Sequence, residues 1–127
     1  MSKVLIIEDD PDVSDLLKFA AERAGHVVQT AANGKRGLES FATFEPDVVV
    51  TDILMPEKEG METIVDLRKS RPATPIIAIS GAGAVGKANI LEIAQKLGAS
   101  RTFAKPLVIA DLLGAIAALA GPEGAKA

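Results

Sequence analysis

The feature that most constrains this chain is a fivefold alternation of short β-branched runs with longer segments of helical period. The runs are Val4–Ile7, Val27–Thr30, Val48–Thr51, Ile76–Ile79 and Arg101–Ala104. The first, third and fourth are near-continuously apolar, the mark of strands covered on both faces. The fifth is weaker and is bracketed by Gly98 and Pro106. Between the runs, Val13, Leu16, Leu17, Ala20 and Ala24 follow the i, i+3, i+4 rule of an amphipathic helix. Asp10 before Pro11 suits an N-cap followed by proline in the first turn, and Gly25 suits the C-terminal cap. Leu38 and Phe41 mark a second helix ending before Pro46. Met61, Ile64 and Leu67 mark a third after Gly60. Ile90, Ile93, Ala94 and Leu97 mark a fourth, stopped by Gly98. Ile109, Leu112, Leu113, Ile116 and Leu119 mark a fifth, stopped by Gly121 and Pro122.

Five βα units in a row predict an α/β fold with a parallel sheet and right-handed crossovers. The chain has 127 residues. A (β/α)8 barrel needs about 250, so the expected form is a (βα)5 doubly wound open sheet. The whole of 1–127 reads as one domain, with a core over about 3–120 and a short frayed tail over 121–127. Apolar residues make up 48% and charged residues 24%, enough for a folded core. The absence of cysteine excludes disulfides, thiolate metal sites and a cysteine nucleophile, and a single histidine excludes a His-cluster metal site. A net charge of −3 gives no electrostatic reason to expect nucleic-acid binding. No targeting segment is visible near the first residues, and the apolar stretch Leu112–Gly121 is too short to span a bilayer. The default expectation is a soluble cytoplasmic protein with no membrane partner.

In an open α/β sheet the site lies beyond the carboxyl ends of the strands. Strand 1 ends in Glu8-Asp9-Asp10, strand 3 in Thr51-Asp52, strand 4 in Ser80-Gly81 and strand 5 in Ala104-Lys105-Pro106. Acids after a strand often serve only as N-caps of the next helix, and that is the favoured reading for Asp10 and Asp12. The joint placement of acids, Asp52, Ser80 and Lys105 at four strand ends is harder to explain as surface decoration. Clustered carboxylates need a cation, and all-oxygen ligands favour Mg²⁺ or a similar ion. A carboxylate beside such an ion and a lysine is an oxygen nucleophile in a positive field, suited to accepting a phosphoryl group.

With these residues on the page, the chain resembles a receiver domain of two-component response regulators, of the chemotaxis type with a flavodoxin-like fold. The resemblance runs from Lys3 to about Leu119. It rests on Ile7-Glu8-Asp9-Asp10-Pro11, on Val50-Thr51-Asp52-Ile53-Leu54-Met55-Pro56 followed by Gly60, on Ser80-Gly81 and on Lys105-Pro106. It implies strand order 2-1-3-4-5. It implies Asp52 as phosphoacceptor, and Asp9 and Asp52 as direct ligands of Mg²⁺ (or Mn²⁺). Glu8 would act through water, and the backbone carbonyl of Leu54 would be a further ligand. Ser80 would be the switch hydroxyl and Lys105 the phosphoryl partner, with Pro106 holding the Lys105 peptide. Gly81 sits where the family wants a small residue for access. Met55, Pro56 and Gly60 would shape the loop beside Asp52.

The chain departs from the family pattern in three places. The switch position three residues before the lysine is usually aromatic and here is Thr102. Phe103, one residue later, should face the other side of its strand. The approach to the fourth helix, Gly81-Ala82-Gly83-Ala84-Val85-Gly86, is rich in glycine, and is expected to be a mobile element. The variable positions beside the phosphoryl group are Leu54 and Ala82, neither able to position water, which predicts slow hydrolysis.

The implied function is a stand-alone response regulator. A sensor histidine kinase or a histidine phosphotransfer protein would donate phosphate to Asp52. The modification would bias a surface formed by the fourth helix, fifth strand and fifth helix toward an unknown protein target. A homodimer stays open on this reading. One alternative is a degenerate receiver that binds partners without phosphorylation, which Thr102 favours and the complete set of phosphorylation residues opposes. A remote one is nucleotide hydrolysis, because Gly81 to Lys87 matches G-x-x-x-x-G-K. Against it, Ala88 stands where a metal-binding hydroxyl is needed. His26 reads as a structural histidine, and the alanines of the fifth helix as a good helix former.

Overall fold

The computed structural model describes residues 2–52, 59–70, 73–80, 95–96, 98–104 and 107–120. Its strands are β1 (Lys3–Ile7), β2 (Val27–Ala31), β3 (Val48–Asp52), β4 (Ile76–Ser80) and β5 (Arg101–Ala104). They form one parallel sheet in the order β2-β1-β3-β4-β5. The helices are α1 (Pro11–Arg23), α2 (Gly34–Phe44), α3 (Glu59–Ser70) and a C-terminal helix, Ile109–Ala120. Of the expected helix over Ile90–Leu97 residues 95–96 are described, and they are helical; the rest of it and the tail over 121–127 lie outside the described residues. So does the glycine-rich stretch Gly81–Lys87, on which the nucleotide reading rested. Among the described residues no helix is long and apolar enough to cross a membrane.

Strand position explains strand composition. Every residue of β3 and β4 is buried, and of β1 all but Lys3. β2 lies at the sheet edge and exposes Val27, Gln29 and Thr30. Alternation then splits the apolar strand residues into two cores. Leu5, Ile7, Val49, Ile76 and Ala78 pack with Phe41 of α2 and Ile64 and Leu67 of α3. Val4, Ile6, Val48, Val50, Ile77 and Ile79 pack with Leu17 of α1 and Leu112 and Ile116 of the C-terminal helix. Each such side chain is worth about 1.5–3 kcal/mol relative to leaving it in water, so the two-sided apolar runs hold the sheet centre.

The helix ends follow local chemistry. Asp10 caps α1, its Oδ1 accepting from Asp12 N at 2.9 Å, with Pro11 in the first turn. At the other end Gly25 takes φ +97°, and the N–H groups of Gly25 and His26 return to Glu22 O and Ala21 O at 3.0 and 3.1 Å. That is the paired closure of a Schellman cap. Asn33 caps α2 through Arg36 N at 2.9 Å. Gly37 lets α2 approach the sheet closely: a Cβ there would lie 2.8 Å from Ile7 Cγ1 and nearer still to Cδ1.

Candidate functional site

The strand order reverses between β1 and β3, and their carboxyl ends carry the acids. Glu8 follows β1 directly. Its N–H bonds Ala31 O at 3.0 Å, so the β1–β2 ladder reaches one residue past the strand and fixes the backbone at Glu8. Its side chain is only 3% exposed, and Oε2 accepts from Asp10 N at 3.1 Å. Asp52 is the last residue of β3 and is 4% exposed. Asp9 is exposed. One carboxylate oxygen from each of Glu8, Asp9 and Asp52 lies within 4.8 Å of the other two. Asp10 is not in that group, because its carboxylate turns back to cap α1. The N-cap reading of Asp10 therefore holds.

Three carboxylates this close, two of them buried, repel unless positive charge sits among them. The donors are all hard oxygens, without nitrogen or sulfur, which fits Mg²⁺ or Mn²⁺ and does not fit zinc or copper. Ser80 ends β4 and is fully buried. Asp52 pairs in register with Ile79, and Ser80 with Ala104, so the ends of β3, β4 and β5 are level. Strand alternation places Asp52 on the face of Val50 and Ser80 on the face of Ala78, so the rim of the sheet is where the two can serve one ligand. Lys105, Pro106, Leu54, Gly81 and Ala82, together with Met55 and Pro56, lie outside the described residues.

On β5, Thr102 pairs with Ala78 and Phe103 with Ile79. Phe103 packs into the core beneath α1 and the C-terminal helix, with the Arg101 guanidinium 5.2 Å from its ring centre. Thr102 shares the face of Ser80. The aromatic ring thus lies on the side of the sheet away from the Ser80 face, as alternation requires. Sequence reasoning missed one feature here. A groove of about 320 Å³ adjoins the acids, lined by Glu8, Asp9, Ser14, Asp15 and Thr30 among others. Ser14 is 8% exposed, a hydroxyl on the buried side of α1. Its signal was a polar residue between Val13 and Leu17, where the helical period calls for an apolar one.

His26 lies at the amino end of β2, far along the strand from the acids. Burial, with a smaller contribution from the nearby N-terminus, lowers its pKa below the usual imidazole value. Its Nδ1 is buried without a hydrogen-bond partner.

Comparison with known proteins agrees with this geometry. The family model described as the response regulator receiver domain matches residues 4–117. The chain is 37% identical over 82 residues to the probable C4-dicarboxylate response regulator DctR of Bacillus subtilis, covering 63% of this chain and 36% of that protein. It spans about a third of the length of the curated relatives it matches first. A response regulator receiver domain protein from Clostridium thermocellum superposes with a TM-score of 0.88 at 29% identity, covering 100% of both chains. Thermotoga maritima TrrA, solved in complex with Mg²⁺-BeF, superposes at 0.80 with 26% identity, covering 94% of this chain and 99% of that one. The sheet order, the acids at the β1 and β3 ends and the family match over nearly the whole chain agree: this protein belongs to the response regulator receiver domain family.

Proposed function

We propose that the chain is a phosphorylation-controlled receiver in which Asp52 accepts a phosphoryl group from a phosphohistidine of a histidine kinase or a phosphotransfer protein. The observation that carries this reading is the gathering of Glu8, Asp9 and Asp52 at the β1–β3 switch point, with Asp52 and Ser80 on level strand ends. The structural relative TrrA, solved in complex with Mg²⁺-BeF, supports it. Asp9 and Asp52 would hold the ion directly, Glu8 through water and the Leu54 carbonyl as a further ligand. When bound, the ion supplies charge neutralisation for the acids and for the oxygens of the incoming group. An Asp52 carboxylate oxygen attacks phosphorus, the P–N bond breaks, and its electron pair leaves with the donor imidazole. The product is an aspartyl phosphate, which carries about −2 charge where the carboxylate carried −1. Ser80 donates its hydroxyl to a phosphoryl oxygen and Lys105 pairs with another. Pro106 would hold the peptide of Lys105, and Gly81 and Ala82, as small residues, would allow access to the donor.

On this reading residues 1–127 act as one cytoplasmic unit, and output passes to a protein target through the surface around β5 and its flanking helices. The position of Phe103 favours a second reading for the output step. With Thr102 on the Ser80 face and the ring on the opposite face, the usual hydroxyl-to-ring coupling has no aromatic partner on β5. A binding module that ignores phosphorylation is the alternative. Intact mass after incubation with Mg²⁺ and acetyl phosphate tests the chemistry. The expected result is one phosphoryl adduct that requires Mg²⁺ and is absent in Asp52→Asn. A folded protein with no adduct would leave the binding module as the better account.

A further inference from the structure

One buried polar side chain beside the acids has no task within the fold. Ser14 sits on the inner side of α1 and is 8% exposed, yet among the described residues its hydroxyl makes no hydrogen bond. A serine inside a helix commonly turns its hydroxyl back to the carbonyl four residues earlier. Here Asp10 O accepts from Ser14 N at 2.9 Å, and the hydroxyl is left over. Burying a hydroxyl without a partner is unfavourable. Its neighbours Val13 and Leu17, which pack against the core, show what packing alone selects on this helix.

Ser14 lines the groove of about 320 Å³ together with Glu8 and Asp9. It is tied to Glu8 by hydrogen bonds through a single residue: Asp10 N donates to Glu8 Oε2 at 3.1 Å, and Asp10 O accepts from Ser14 N. The acid and the start of the helix that carries the hydroxyl are thereby held together. A groove of this size has room for several waters. A water in the shell of a divalent ion turns its oxygen to the ion and needs acceptors for its hydrogens. A carboxylate such as Glu8 is one. Ser14 Oγ is another, and it adds no charge to a rim that already gathers three acids. Asp15 and Thr30 also line the groove, but both are exposed, so bulk water competes for them.

We infer that Ser14 is a positioning residue of the cation site: its hydroxyl accepts from a water of the ion's shell, beside Glu8, and so sets the preference of the site for Mg²⁺ over Ca²⁺. The inference rests on the reading of Glu8, Asp9 and Asp52 as a Mg²⁺ site. The preference follows from how the two ions coordinate. Mg²⁺ demands near-octahedral geometry and gives up its waters reluctantly, so contacts made through water count fully toward its affinity. Ca²⁺ takes more protein oxygens directly and tolerates irregular geometry, so the same contacts count for less.

Calorimetric titration of the full chain with MgCl₂ and with CaCl₂, without phosphoryl donor, tests this; the chain has no tryptophan or tyrosine to report binding by fluorescence. Ser14→Thr and Ser14→Val are matched in shape and in β-branching, and differ in the hydroxyl. Ser14→Thr should bind Mg²⁺ about as the parent does. Ser14→Val should bind it about tenfold more weakly, the low end of the loss on removing an outer-shell partner. Its Ca²⁺ affinity should fall no more than about twofold. Ser14→Ala adds no bulk and should follow Ser14→Val, which keeps the test open if the β-branched variants fail to fold. Thermal melts of each variant check the fold. Equal Mg²⁺ affinity in Ser14→Val, Ser14→Ala and the parent overturns the inference and leaves the metal reading standing. So does an equal loss in Ser14→Thr and Ser14→Val, which would follow shape and not the hydroxyl, or an equal loss for both ions. A folded parent that binds neither ion overturns the metal reading and this inference with it.

Discussion

The two ends of the sheet handle polar groups in opposite ways. At the amino end Lys3, Asp47 and Arg68 are matched and tie the loops together, while the buried His26 Nδ1 is left unpaired. Lys3 N donates to Asp47 Oδ2 at 2.8 Å, Asp47 N to Lys3 O at 2.8 Å, and Lys3 Nζ to Phe44 O at 3.1 Å. Arg68, at the end of α3, donates to Thr74 O and Gly98 O, joining the loops that lead to β4 and β5. Gly98 takes φ +130° beside it, where a Cβ would lie 2.8 Å from Arg68 Nε. At the carboxyl end, like charges are gathered and two of the three acids are buried. The difference teaches that one rim ties its loops together through hydrogen bonds, while the other gathers the oxygen donors that a cation can join.

The largest expected effect breaks the functional rim alone. Asp52→Asn should abolish the phosphoryl adduct in intact mass while raising metal-free stability by about 1 kcal/mol, because mutual repulsion of the acids falls. Thermal melts with and without Mg²⁺ check this, and Mg²⁺ should shrink the difference between variant and parent. Breaking the other rim should do the reverse. Arg68→Ala removes charge-assisted bonds to two carbonyls and should cost roughly 2 kcal/mol in denaturant unfolding, while the protein still folded should take up phosphate from acetyl phosphate. If Arg68→Ala instead lost phosphorylation at full stability, the division between the rims would fail.

Gly37→Ala probes the link between core and site. Its Cβ would press on Ile7, the residue before Glu8, and should cost about 1–3 kcal/mol by overpacking. Weaker Mg²⁺ affinity in the folded fraction, read by titration, would show that the packing of Ile7 positions Glu8. The smallest effect belongs to His26. Its folded pKa lies below the unfolded value near 6.5, so the folded state binds fewer protons and stability falls as pH drops below that value. His26→Gln should flatten the decline just below pH 6.5 and leave stability above it nearly unchanged, as followed by melts across the pH range. A slope identical in the two proteins would assign that part of the acid sensitivity to other groups.

Much of this was legible in sequence because it depends on local order. The continuous apolar runs of β1, β3 and β4 could only be interior strands. Asp10-Pro11 and Gly25 marked the ends of α1 by their backbone preferences alone. Asp52 and Ser80 were found because chain direction in a parallel sheet sends every strand end to one edge. The opposite facing of Thr102 and Phe103 followed from a period of two. Distances between segments are another matter. The sequence placed Glu8, Asp9 and Asp10 together, and only the fold separated them: Asp9 and Glu8 turn to Asp52 while Asp10 is spent on a helix cap. Arg68 looked like one more basic residue in the last turn of α3, because its two carbonyl partners lie 6 and 30 residues away. Leu16 read as an ordinary member of an amphipathic stripe with Leu17, Ala20 and Ala24, until packing showed that Leu17 and Ala21 had taken the core. Composition and periodicity determine which elements form and which way their ends point. Which side chain meets which across the sheet, and which apolar residue is left outside, is decided by register and volume, and those exist only once the elements are packed.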